Sequence, residues 1–140
     1  MKAIQPQTSK GPAERFIGDV HPTIILSGEE PSRVRMASVH FAPGAHTAWH
    51  SHAVGQYIHV TEGVAFVQER GSARKTLRPG DTIYTAPGVE HWHGASPDSF
   101  MVHLVIWEAP APDSTEPETV WGEHVSNDEY ATVNTPIRRA

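Results

Sequence analysis

The chain has 140 residues, a formal charge of −5 with neutral histidines, and no cysteine. That length fits one domain with its own core. The negative balance argues against a nucleic-acid surface, and the missing cysteines exclude disulfides, thiolate nucleophiles and cysteine-based zinc sites. No apolar stretch approaches the roughly 20 residues a membrane-spanning helix needs. Met1–Pro12 lacks the apolar core of a signal peptide. A cytoplasmic protein with no nucleic-acid or membrane partner is the expectation.

Met1–Pro12 is polar and is expected to be loose. Phe16–Leu26 reads as an arm or first strand interrupted by Pro22, and Ser27–Ser32, with Gly28 and Pro31, as a turn. Val34–Phe41 alternates as a strand does, and Pro43-Gly44 ends it. Trp49–Thr61 is expected to be the next strand, turned by Glu62-Gly63 into a hairpin partner at Val64–Glu69. Gly71-Ser72 leads into Ala73–Leu77, and Pro79-Gly80-Asp81 into Thr82–Thr85. Pro87-Gly88 leads into Glu90–Ala95, and Ser96-Pro97-Asp98 into the long apolar strand Phe100–Glu108. Ala109–Pro117 is Pro-rich and predicts an extended or irregular linker. Ser126 followed three residues later by Glu129 is a capping box, which predicts a short helix from Asn127 to about Val133.

Short strands with turns at roughly 8–12-residue spacing predict an all-β sandwich or barrel with one short C-terminal helix. The division this implies is an N-terminal arm over 1–15, a barrel over 16–110, and a Pro-rich C-terminal segment with its helix over 111–140. No tandem repeat interrupts that plan.

Histidine is abundant: there are ten, and eight of them fall between His40 and His103. His50 and His52 are two apart, so on a strand they share a face. Gln56 keeps that parity if the strand continues. His91 and His93 share parity in the same way. Imidazoles with a carboxamide oxygen, and no sulfur, suit Mn, Fe, Co, Ni or Zn without choosing among them. His59 has the opposite parity and is expected to face outward, and His46, in a loop-like stretch, is expected at the surface. His103 either lines a pocket or is a satisfied core histidine. Trp49, Trp92 and Trp107 are expected to fill core or pocket walls.

At these residues the chain resembles the cupin superfamily of jelly-roll β-barrels. Its first motif, G-x5-H-x-H-x3,4-E-x6-G, is filled by Gly44, His50, His52 and Gly63, with Gln56 in the glutamate position. Its second, G-x5-P-x-G-x2-H-x3-N, is filled by Gly80, Gly88 and His91, with Ala86 and Ala95 in the proline and asparagine positions. A narrower likeness rests on W-H-S-H-x-x-G-Q, V-T-E-G, R-P-G-D, P-G-x-x-H-W-H-G-A-S-P and E-H-V-S, with G-P-A-E-R-F at Gly11–Phe16. These runs resemble the small single-domain bacterial cupins that include manganese-dependent (R)-selective hydroxynitrile lyases.

The resemblance implies a cupin barrel in which His50, His52, Gln56 and His91 hold one divalent ion. Mn leads, with Fe, Zn, Ni and Co as alternatives. His93 matches the general base of those lyases, its other reading being a hydrogen bond to a ligand or carbonyl. Ala37 and Val39 match small pocket-lining residues, with ordinary core packing as the other and favoured reading. Where the lyases carry a glutamine on the last long strand, Trp107 stands here, which narrows the pocket. The implied activity is cleavage of a cyanohydrin to a carbonyl compound and cyanide. An Fe- or Mn-dependent dioxygenase and a non-catalytic metal- and ligand-binding cupin are the alternatives. Homodimers or higher homo-oligomers, with the N-terminal arm added to a neighbouring sheet, also follow from the family.

Overall fold

A computed structural model describes residues 1–133. The end of the proposed C-terminal segment, 134–140, lies outside the described residues. The strands in chain order are β1 (Gln7–Thr8), β2 (Phe16–Ile17), β3 (Val20–Ser27), β4 (Val34–Phe41), β5 (His46–Thr47), β6 (His50–His52) and β7 (Gln56–Gly63). They continue as β8 (Ala65–Glu69), β9 (Lys75–Leu77), β10 (Thr82–Thr85), β11 (His91–Ala95), β12 (Met101–Glu108) and β13 (Thr119–Trp121), followed by helix α1 (Asn127–Ala131).

Two sheets face each other. One has the order β1-β3-β4-β12-β7-β10. The other runs β13-β6-β11-β5-β2, with β8 on β11 and β9 on β8. Alternation along the strands explains the core. Ala37, Val39 and Phe41 of β4, Ile58 and Val60 of β7, and Met101 and Val105 of β12 point inward and form one buried cluster with Val20, Ala65 and Ala95. A smaller cluster of Trp49, Trp92 and Val125 lies under α1, with Phe66 and Tyr130 against it. Ser126 and Glu129 form the expected capping box, and the helix ends at Ala131, short of Val133.

Two expectations are corrected. The N-terminal stretch is not loose throughout: Gln7 and Thr8 pair with Ile24 and Thr23, and Gly11 N–H donates to Val20 O at 2.8 Å. The arm thus covers the edge of its own sheet. Pro22, which has no N–H to give, sits in β3 opposite Val39, and its carbonyl accepts from Ser9 N–H at 3.1 Å.

Trp49–Thr61 is not one strand. β6 and β7 belong to different sheets, and the chain crosses between them at Ala53–Gly55. Gly55 makes the crossing with φ of +84°. A Cβ there would stand 2.8 Å from the Thr85 carbonyl, so no side chain fits.

The Pro-rich stretch 109–117 is irregular, as expected, but a strand follows it that the sequence reading did not include. This strand is β13, which pairs antiparallel with β6 and places Thr119 opposite His52 and Trp121 opposite His50. No helix among the described residues is long and apolar enough to cross a membrane.

Candidate metal centre and active site

β6 and β11 pair side by side, with His91 opposite His50. Inward alternation buries His50, His52, His91 and His93 together. One ring nitrogen each of His50, His91 and His93 lie within 4.8 Å of one another. The His52 ring stands 5.1 Å from that of His50 and 5.4 Å from that of His91. Gln56 enters from the facing sheet, buried, with Oε1 3.1 Å from His91 Nε2. The parity argument for Gln56 therefore fails although the residue does reach the cluster: the turn at Gly55 carries it to the opposite wall.

The hydrogen bonds set the tautomers. A carbonyl only accepts, so His50 Nδ1–H donates to Ala48 O at 2.8 Å, and His91 Nδ1–H to Val89 O at 3.1 Å. Both rings are buried and neutral, so each Nε2 keeps a bare lone pair. His52 Nδ1 lies 3.1 Å from the Thr119 hydroxyl, and its buried Nε2 has no partner. His93 Nε2 is also buried and unpartnered. Several lone pairs converging without donors are what a cation satisfies, and outward-facing N–H bonds to backbone orient such ligands. The donor set of imidazoles and one carboxamide oxygen suits a divalent transition ion.

Electrostatics point the same way. Burial, then the neighbouring His91 and His52, push His50 well below its ordinary 6.5. Burial, reinforced by His91, pushes His52 down to about 4. Burial lowers His91, and burial followed by His103 lowers His93 well below the ordinary value. All are neutral near pH 7, the state required of a metal ligand or a base.

A cavity of about 500 Å³ opens onto His50, His52, His93 and Gln56. Ala37 and Val39, expected as pocket residues, line it along with Trp107 and His93. Trp107 is held in place by donating Nε1–H to Glu118 at 2.7 Å, and Glu118 also accepts from Arg35 at 3.2 Å.

His103 is fully buried and is not on the cavity lining. It stands behind His93, with His103 Nε2 2.8 Å from His93 Nδ1. His46, expected at the surface, is buried with its ring stacked 4.5 Å from Tyr130. Covering it requires α1, which local sequence around His46 does not report.

Sequence reasoning missed Thr119 and Trp121. Trp121 stacks on His50 at 4.6 Å. The T-V-W run has strand-forming composition, and that was the one local signal available.

Two curled antiparallel sheets enclosing a histidine-lined cavity define a cupin barrel, and the chain belongs to the cupin family: a Cupin domain model matches residues 37–107. The chain is 40% identical over 131 residues to an "(R)-mandelonitrile lyase" of Granulicella tundricola, covering 93% of this chain and 97% of that one. A cupin-like protein from Thermotoga maritima is 34% identical, with a TM-score of 0.81, covering 95% of this chain and 97% of that one. A cupin 2 conserved barrel domain protein from Rhodopseudomonas palustris, 14% identical with a TM-score of 0.64, covers 78% and 74% of the two chains and shares the fold.

Proposed function

We propose that this protein is a metal-dependent lyase that cleaves a cyanohydrin to a carbonyl compound and cyanide. The observation that carries the reading is the cluster of hydrogen-free donors with a second unpartnered imidazole beside it. The likeness to a curated lyase supports the choice of reaction.

In this reading His50, His52, Gln56 and His91 hold the ion, and Mn is the metal proposed. A divalent ion at these neutral ligands supplies Lewis acidity toward the substrate hydroxyl oxygen and lowers its pKa. His93 takes the hydroxyl proton at Nε2. It can do so when Nδ1–H is donated to His103 Nε2, 2.8 Å away, which leaves Nε2 bare. His103 then remains a neutral acceptor for the imidazolium. As the proton leaves, the C–C bond to the nitrile breaks, the carbonyl double bond forms, and the bonding pair departs as cyanide. Ala37, Val39 and Trp107 form walls for the carbon skeleton. The step needs no redox change.

A second assignment has a specific observation behind it: the ring nitrogens of His50, His91 and His93 are the ones within 4.8 Å of one another. If His93 is a ligand and not a base, an oxygenase or a binding role becomes the better reading. The test uses purified protein analysed by mass spectrometry for metal and then given racemic mandelonitrile with and without EDTA, with oxygen uptake recorded. Bound metal and chelator-sensitive release of benzaldehyde and cyanide are expected. Bound metal with no cleavage sinks the lyase reading, and oxygen uptake in its place supports a dioxygenase. We further propose a homodimer or higher homo-oligomer, for which sedimentation at micromolar concentration is the check.

A further inference from the structure

The cavity is polar at both ends and apolar between them. At the floor stand the neutral His50, His52 and His93 with Gln56, so a divalent ion bound there would keep its whole charge. The walls between are Phe16, Val39, Phe41, Val105 and Trp121. At the rim, among the described residues lining the cavity, Glu118 is the one acid and Arg15 the one arginine or lysine. Glu118 is already engaged: the same oxygen accepts from Trp107 Nε1–H at 2.7 Å and from Arg35 Nε–H at 3.2 Å.

Arg15 is in the opposite state. Among the described residues it makes no ion pair. Its guanidinium lies 5.2 Å from the centroid of the Trp121 ring. Stacking on an aromatic face restrains a guanidinium while leaving its in-plane N–H donors free for a planar anion. The backbone beneath is held as well: Arg15 O accepts from Ala48 N–H at 2.8 Å, and Phe16 next to it pairs with Thr47. Arg15 is thus a positioned, unneutralised cation over the mouth of an apolar cavity.

We propose that Arg15 is an anion subsite, and that the ligand is a hydroxylated compound with an apolar, ring-sized body and a carboxylate at the end remote from the hydroxyl. The position of the hydroxyl rests on the lyase reading; the anion subsite does not. Arg15 pairs with the carboxylate at the rim while the hydroxyl faces His93 at the floor. The cavity volume of about 500 Å³ accommodates an aryl ring of this kind.

The test is a tryptophan-fluorescence titration of the metal-loaded protein, since Trp107 and Trp121 line the cavity. The probes are 4-(hydroxymethyl)benzoate and its neutral isostere 4-(hydroxymethyl)benzamide. A charge-assisted contact predicts that wild type binds the carboxylate about tenfold more tightly or better. The preference should shrink to within about twofold in Arg15→Gln and weaken with added salt. Equal binding of the two probes by wild type overturns the proposal. So does a preference that survives in Arg15→Gln, which would put the carboxylate on the metal. Mandelonitrile cleavage by the same preparation is scored separately: if the carboxylate preference is present and no chelator-sensitive cyanide appears, the lyase reading falls and the anion subsite stands.

Discussion

His91 Nε2 and Gln56 Oε1 face each other at 3.1 Å, and neither atom carries a hydrogen. Val89 O accepts the hydrogen bond from His91 Nδ1–H, and burial keeps the ring neutral. Two lone pairs from opposite sheets are therefore pressed together in a buried place, an arrangement that is repulsive until a cation or a proton lies between them. Gln56→Glu adds a charge to this pair. The variant is expected to retain divalent metal more strongly through dialysis against chelator. It should cleave mandelonitrile more slowly, because the ion then presents less net charge to substrate. Weaker retention than wild type would contradict Gln56 as a ligand.

His93→Ala separates a base from a ligand. As a base, its loss is expected to reduce kcat by roughly 10²–10⁴-fold with metal content unchanged. Loss of metal in parallel with activity would move His93 into the ligand set alongside His50 and His91.

Thr119 holds His52 from β13, at 3.1 Å from Nδ1. Thr119→Val removes that hydroxyl at nearly constant volume. Metal affinity is expected to fall by roughly 10–100-fold, the usual cost of losing a partner that orients a ligand. Thr119→Ser should recover most of it. Metal competition titrations measure both.

Stability of the metal-free protein should depend on acid. Histidine ordinarily titrates near 6.5, and burial holds His52 and His103 neutral down to about 4. Between those values the unfolded chain binds protons that the folded chain refuses. Stability is therefore fully present above pH 6.5 and is lost as pH falls toward 4, each group contributing on the order of 3 kcal/mol. His50 and His93 act in the same direction. Thermal melts of chelated protein at several pH values should show Tm dropping across this window, and a flat profile would contradict the buried neutral cluster.

Glu118 serves Trp107 and Arg35 through one oxygen. Glu118→Ala leaves both donors without that acceptor and is expected to cost about 1–3 kcal/mol. Urea unfolding measures it. No change in midpoint would mean that water replaces the carboxylate at both donors.

Much of the site is legible along the chain because strand parity and turn chemistry are local. His50 with His52, and His91 with His93, are two apart on real strands and do share the interior, as do Ala37 and Val39. The capping box of Ser126 and Glu129 is equally local, and the helix starts where it predicts. The motif spacings around Gly44, Gly63, Gly80 and Gly88 were enough to indicate the cupin barrel.

Other features depend on contacts distant in sequence, which periodicity cannot report. Gln56 reaches the cluster from the facing sheet, because Gly55 turns the chain across the barrel where a continuous strand was expected. β13 closes on β6 across 67 residues between His52 and Thr119, and so Trp121 comes to lie on His50. His46 is buried because Tyr130 of α1 covers it. His103 stands behind His93 and off the cavity wall, since the pairing of β12 between β4 and β7 sets its depth in the barrel. Side-chain alternation follows from backbone geometry over two residues. Which side chains meet across the barrel follows from sheet pairing, and that is settled only when the whole chain has closed.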